Sequence, residues 1–230
     1  MNQIPIFFDL GGTIIDNIEI GRKAFNKVFN KNFTTAEIKA MFNDMSKKIT
    51  VRSLFKIPIN PIKMITKRKE FARLQNQYIL SEGKLFQGTK EFLLKLKSKK
   101  EIVLVMVTQN PQFKNQEFVD KLFNKLFEGD HPFDYVLSNR NKMSIIKEYF
   151  EPDDISKALL IGDLPNDMNI AKKLQIPGVG VAWGYAAGKL DTPFIVASFD
   201  ELYDLIEEHL YSLKDKGVGL LQRNGTKVRN

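Results

Sequence analysis

Six apolar runs of strand length recur along the chain: Ile4 to Phe8, Ile102 to Val107, Tyr135 to Leu137, Leu159 to Ile161, Gly178 to Ala182 and Phe194 to Val196. Most are continuous and do not alternate with polar residues, as strands buried on both faces must be, and that is the condition of a parallel sheet. Amphipathic helical patterns fall between them. Thr89 to Lys97 sets Phe92, Leu93 and Leu96 on one face, Met143 to Phe150 sets Ile145, Ile146 and Tyr149, and Asn169 to Leu174 follows another strand. Strands and helices in alternation predict an α/β fold with a doubly wound, mostly parallel sheet.

About ninety residues separate the first two runs, far more than one crossover helix needs. A second unit is therefore expected in that interval. "IGRKAFNKVFNK" and "KEFARLQNQYIL" are both amphipathic, Thr35 is placed to cap a helix over "AEIKAMF", and "IPINP" around Pro58 and Pro61 predicts a break. The expected division is a core of residues 1–16 and 85–215, an inserted helical unit over 17–84, and a fraying basic tail over 216–230.

Composition narrows the chemistry. At 230 residues, with 43% hydrophobic and 27% charged residues, the chain reads as an ordinary soluble globular protein with room for a sizeable core. There is no cysteine, which removes disulfides, thiolate metal sites and cysteine nucleophiles together. The two histidines, His131 and His209, have no other ligand type at metal spacing and are expected at the surface or in loops. The net charge of +8 comes from lysines on solvated helix faces, so nucleic-acid binding is disfavoured. "MNQIPIFF" lacks the basic region of a secretion signal and no apolar stretch approaches a membrane span, so the cytoplasm is the expected location.

In an open parallel sheet, ligands bind beyond the carboxyl ends of the strands. Four such exits carry reactive groups: Asp9 in "FFDLGGTIID", Thr108 after "IVLVMV", Lys142 after "DYVLSNRN", and Asp163 and Asp167 in "LLIGDLPND". Each alone reads as a turn former or a cap. If Asp9, Asp163 and Asp167 converge, three carboxylates cannot all stay ionised without a compensating cation. Mg²⁺ suits such a set, because it takes a few carboxylate or carbonyl oxygens, keeps waters and leaves room for a phosphate.

The order Asp9-Leu10-Gly11-Gly12-Thr13, then Thr108, then Lys142, then Gly162-Asp163-Leu164-Pro165-Asn166-Asp167 resembles the four motifs of the haloacid dehalogenase-like hydrolases. "LFQGTKEFLLKLKSKK" and "GVGVAWGY" are similar to members of the phosphoglycolate-phosphatase type with a helical cap. The resemblance implies a Rossmann-like core with the cap inserted at 17–84, and a phosphatase acting on a small phosphorylated metabolite. Asp9 would be the nucleophile, forming an aspartyl phosphate. Mg²⁺ would be held by Asp9, the Gly11 carbonyl, Asp163 and Asp167, with Asp167 completing the shell or placing the lysine. Thr108 and Lys142, with Gly12, Gln109 and Asn110, would bind the phosphate. Monomer and homodimer both stay open.

Most phosphatases of this type carry a second aspartate where this chain has Gly11. That side chain protonates the leaving oxygen and later activates water, and such acid–base help is typically worth about 10² to 10⁴ in rate. Three readings follow: a phosphatase with reduced turnover or undemanding leaving groups, a phosphonoacetaldehyde-hydrolase-like enzyme with Lys47 as a candidate Schiff-base lysine, or an impaired phosphate- and metal-binding regulatory protein.

Overall fold

The computed structural model describes residues 3–46, 60–186 and 190–216. In chain order the elements are β1 (Ile4–Phe8), β2 (Ile15–Asp16), α1 (Ile18–Phe29), α2 (Thr35–Ser46), α3 (Pro61–Glu82), β3 (Lys84–Leu85), α4 (Thr89–Lys97) and β4 (Ile102–Thr108). They continue with α5 (Gln116–Phe127), β5 (Tyr135–Ser138), α6 (Lys142–Tyr149), α7 (Pro152–Ile155), β6 (Leu159–Gly162), α8 (Pro165–Leu174), β7 (Gly178–Val181), β8 (Phe194–Val196) and α9 (Phe199–Lys216).

Six strands form one sheet in the order β5-β4-β1-β6-β7-β8, every neighbouring pair parallel. The chain winds outward from β1 in one direction and returns to wind in the other, which makes the sheet doubly wound. β1 explains why the runs are continuous. Ile4, Ile6 and Phe8 join Leu104 and Met106 in the core on one face, which α4, α5 and α9 cover with Leu93, Leu96, Phe118, Leu122, Leu202 and Ile206. Phe7 joins Val103, Val105, Val107 and Leu160 on the other face, beneath Ile145, Ile146, Ile170 and Leu174 of α6 and α8. Alternate residues serve opposite layers, so no position in the strand can be polar. Each such side chain, fully buried, contributes about 1.5–3 kcal/mol.

Pro5 stands in this central strand at no cost to the ladder. Ile4 N–H donates to Glu101 O at 2.7 Å, so the next nitrogen faces β6, whose pairing with β1 begins only at Ile6.

The long interval between β1 and β4 holds α1, α2 and α3, entered and left through the two-residue antiparallel ribbon of β2 and β3, too short to show a period in sequence. Ile18, Phe25, Phe33, Ile38 and Met41 form a separate apolar cluster there, closed on the sheet side by Tyr185. One expectation shifts. The cap of α2 is Thr34, not Thr35: Thr34 Oγ1 accepts from Glu37 N while Thr34 N donates to Glu37 Oε2, a reciprocal pair that fixes the first turn. Pro61 opens α3 after the cap Asn60, whose Oδ1 accepts from Ile62 N, because a first-turn residue needs no N–H.

His209 is also corrected. It is fully buried on α9, in line with Leu202, Ile206 and Leu210, and its ring nitrogen meets Lys157 O at 2.7 Å. One polar ring inside an apolar stripe is satisfied by a carbonyl that sequence does not reveal. His131 is exposed, edge-on to Phe123. Lys47, Pro58 and residues 217–230 lie outside the described residues. Among the described residues no helix is long and apolar enough to cross a membrane.

Candidate active site

β1 is bonded to β4 on one side and β6 on the other, so Asp9, leaving β1, stands between Thr108, the last residue of β4, and Asp163, the first after β6. Asn141 caps α6 by accepting from Ser144 N, which makes Lys142 the first helical residue and points it back across the sheet edge. Lys142 Nζ donates to Asp9 Oδ1 at 2.5 Å and to Asp167 Oδ1 at 2.7 Å. Asp167, in the first turn of α8, also accepts from Leu164 N through Oδ2. Asp163 is completely buried; its Oδ2 accepts from Tyr185 N at 2.7 Å, while Oδ1 has no hydrogen-bond partner among the described residues. Asp9, Asp163 and Asp167 each offer an oxygen within 4.8 Å of the others.

Three carboxylates against one ammonium leave two negative charges in excess if all ionise. The protein shows the strain of that sum. Burial pushes the Asp9 carboxyl up from 3.8 to about 6 against the pull of Lys142. Burial, then the charges of Asp9 and Asp167, hold Asp163 well above the usual carboxylate range. Burial works against the Lys142 charge as well, but Asp167 and Asp9 more than offset it and keep the ammonium protonated far into alkali.

A divalent cation fits this set. It would cancel the two excess charges and give the orphaned Asp163 Oδ1 the partner that a buried oxygen needs. The backbone is cut away to seat that carboxylate: a Cβ on Gly12 would stand 2.2 Å from Asp163 Oδ2, and one on Gly184 would stand 2.2 Å from Asp163 Cβ. Gly12 also has φ +82°, a left-handed turn that favours glycine.

Thr108 is buried, its Oγ1 accepting from Asn110 N. The side chains of its two neighbours are committed elsewhere. Gln109 Nε2 donates to Arg140 O in the loop before α6. Asn110 Oδ1 accepts from Gln112 N, and its Nδ2 donates to Asn76 Oδ1 on α3 at 2.7 Å.

Two residues had no functional mark in sequence. Tyr185 lies between the helical insertion and the carboxylates: its N–H binds Asp163 and its hydroxyl lies 3.3 Å from both Asn17 O and Asn17 Oδ1. Asn17 precedes α1 in the cap position yet makes no side-chain cap bond. Its Nδ2 instead lies 2.5 Å from where a Cβ on Gly11 would stand. An Asn before a helix reads as a cap, so only the folded turn reveals this contact.

No curated protein matches the chain. Several solved structures share its fold. A haloacid dehalogenase-like family hydrolase of Streptococcus pneumoniae aligns with TM-score 0.69 at 18% identity, covering 89% of this chain and 98% of that one. A protein described as a predicted phosphatase from Clostridium acetobutylicum gives 0.67 at 20% identity, covering 90% and 100%. CbbY of Rhodobacter sphaeroides, in complex with a xylulose bisphosphate, gives 0.62 at 18%, covering 88% and 96%. The sequence model described as haloacid dehalogenase-like hydrolase matches residues 6–181, from β1 to the end of β7. With its sheet, its site and that match in agreement, the chain belongs to the haloacid dehalogenase-like hydrolase family.

Proposed function

We propose that this hydrolase is a Mg²⁺-dependent phosphatase of small phosphorylated metabolites that works through an aspartyl phosphate on Asp9. The observation that carries this reading is the convergence of Asp9, Asp163 and Asp167, two of them bound by Lys142, with a net charge of two negatives that one dication balances. Among the fold relatives, a protein described as a predicted phosphatase and one holding a xylulose bisphosphate support the substrate class. Residues 17–84 act as a helical cap over the site, and the cytoplasm remains the location we assign.

In the mechanism, Asp9, Asp163, Asp167 and the Gly11 carbonyl would hold Mg²⁺. Bound there, the ion supplies Lewis-acid polarisation of the phosphoryl oxygens. Lys142 fixes Asp9 Oδ1 and keeps the carboxylate in its charged, nucleophilic form. A carboxylate oxygen of Asp9 attacks phosphorus and the bond from phosphorus to the leaving oxygen breaks, its electron pair departing with that oxygen. Water then attacks phosphorus, the bond to Asp9 breaks, and inorganic phosphate leaves with the free carboxylate restored. Lys142 and the Thr108 hydroxyl offset the charge on the phosphoryl oxygens. Gly11 supplies no proton to the first step and no base to the second.

The test is phosphate release from acetyl, p-nitrophenyl and simple alkyl phosphates with Mg²⁺. The reading expects release that Asp9→Asn abolishes, with the first two substrates well ahead of the third. No release from any of them overturns it. The small residue at Gly11 also fits a phosphonoacetaldehyde-hydrolase-like reaction through Lys47; borohydride inactivation with that substrate present would favour this second reading. A tightly held phosphate mimic without turnover would point to a regulatory binding protein.

A further inference from the structure

We infer that Asn17 determines leaving-group specificity: its amide fills the place that Gly11 leaves empty and donates a hydrogen bond, without a proton, to the departing oxygen. This rests on the phosphatase reading above and narrows its substrate to phosphates with weakly basic leaving groups, such as acyl and aryl phosphates.

Three observations meet at this residue. First, Asn17 stands at the start of α1, where its side chain would normally accept from the first turn and stabilise the helix, yet it makes no such bond. The amide is turned elsewhere. Second, it is turned onto Gly11, with Nδ2 2.5 Å, Cγ 3.2 Å and Oδ1 3.3 Å from where a Cβ would begin, a volume open only because residue 11 is glycine. Third, the orientation is held. The hydroxyl of Tyr185 has Asn17 Oδ1 and Asn17 O, each 3.3 Å away, as its acceptors, so Oδ1 faces the phenol and the amide N–H groups lie on the side of Gly11. Tyr185 is itself fixed, its N–H on Asp163 and its ring within the apolar cluster of α1 and α2.

An amide can donate to an oxygen that is gaining negative charge, but it cannot protonate it. When Asp9 attacks and the phosphorus–oxygen bond breaks, a carboxylate or aryloxide departs as the anion with its electron pair, and the Asn17 N–H lowers the cost of that charge. An alkoxide would need a proton that neither Gly11 nor Asn17 can give.

The test compares wild type, Asn17→Ala, Gly11→Asp and the double variant Gly11→Asp with Asn17→Ser on acetyl, p-nitrophenyl, phenyl and alkyl phosphates. Losing one hydrogen bond in the transition state should lower kcat of Asn17→Ala about 10-fold on phenyl phosphate and progressively less as the leaving group becomes less basic, with KM unchanged. Because Asn17 makes no cap bond and Asn17 O remains as an acceptor for the Tyr185 hydroxyl, the melting temperature of Asn17→Ala should stay near that of wild type, which separates this loss from a folding defect. Gly11→Asp alone meets the Asn17 amide, so the double variant should exceed it at least 10-fold on alkyl phosphates. Equal losses of Asn17→Ala across the series, or equal alkyl turnover in the single and double variants, would overturn the role of Asn17 and leave the phosphatase reading standing. A wild type inert on every phosphate would remove both.

Discussion

Lys142 Nζ and Asp9 Oδ1 stand 2.5 Å apart although 133 residues separate them in the chain. The pair ties the middle of the sheet to its edge, since Asp9 leaves β1 and Lys142 reaches it from the helix after β5, on the far side of β4. Both side chains are largely withdrawn from water, Lys142 to 5% exposure and Asp9 to 11%. Removing one partner from such a pair typically costs about 3–5 kcal/mol because the other is left buried and uncompensated. Lys142→Met should therefore destabilise the metal-free protein in denaturant titration and abolish turnover. Lys142→Arg should not restore activity, because a planar guanidinium cannot occupy the place of a compact ammonium between Asp9 and Asp167. An unaltered denaturation midpoint in Lys142→Met would show that the carboxylates do not depend on it.

Asp9 sets a pH dependence whose sign runs opposite to that of an ordinary surface salt bridge. Its folded pKa, about 6, lies above the unfolded value of 3.8, so the native state holds this proton the more tightly. Its contribution is complete below 3.8 and is lost as pH rises through about 6, a change of about 3 kcal/mol. Asp163 shifts in the same direction. Burial lowers the His209 pKa, and that residue acts oppositely, costing stability as pH falls below its unfolded value of 6.5. Comparison with Asp9→Asn separates the two. Lys142 keeps Asp167 as its partner in this variant, so without metal the variant should melt above wild type at pH 7.5, and the difference should vanish near pH 4. A difference constant with pH would refute the assignment.

Mg²⁺ should reverse that penalty. At about 100 times its dissociation constant the ion adds about 2.7 kcal/mol, which for a chain of this size raises the melting temperature by roughly 5–10 °C. Asp163→Asn keeps the shape of the side chain while neutralising the oxygen that lacks a partner. The expected result is a variant that folds, melts no lower than wild type without metal, and shows little or no Mg²⁺-induced shift. A full shift in Asp163→Asn would place the ion elsewhere.

The strands were legible because a strand with alternate residues in two separate cores, as Phe7 and Phe8 are, has to be apolar throughout. The reactive residues were legible because each ends a strand or opens a helix. Contacts between side chains distant in sequence or across a turn were not. The burial of His209 depends on the carbonyl of Lys157, the engagement of Gln109 on the carbonyl of Arg140, and the placement of Asn17 on the absence of a side chain at Gly11. α5, with Phe118, Val119, Leu122, Phe123 and Phe127 buried, has a period as plain as that of α4 but carries no group of the site.

α5 does matter to the inserted helices through one residue. α3 has no basic side chain in its last turn, where unpaired carbonyls gather partial negative charge. Lys125 of α5 supplies the cation from outside, its Nζ donating to Leu80 O at 2.9 Å and to Ser81 O at 2.8 Å. A second tie lies earlier in the last third of α3, where Asn76 accepts from Asn110 beside Thr108. Lys125 is solvent-exposed, so its loss should cost only about 0.3–1 kcal/mol of global stability. The local effect should be larger, since the last turn of α3 leads straight into β3 and the ribbon that joins the insertion to the sheet. In Lys125→Ala, amide exchange should accelerate across residues 78–85 and stay unchanged in β1 and β4. Adding Asn76→Ala should extend the faster exchange toward the middle of α3. Exchange indistinguishable from wild type over 78–85 would mean that the ribbon alone holds the end of the helix in place.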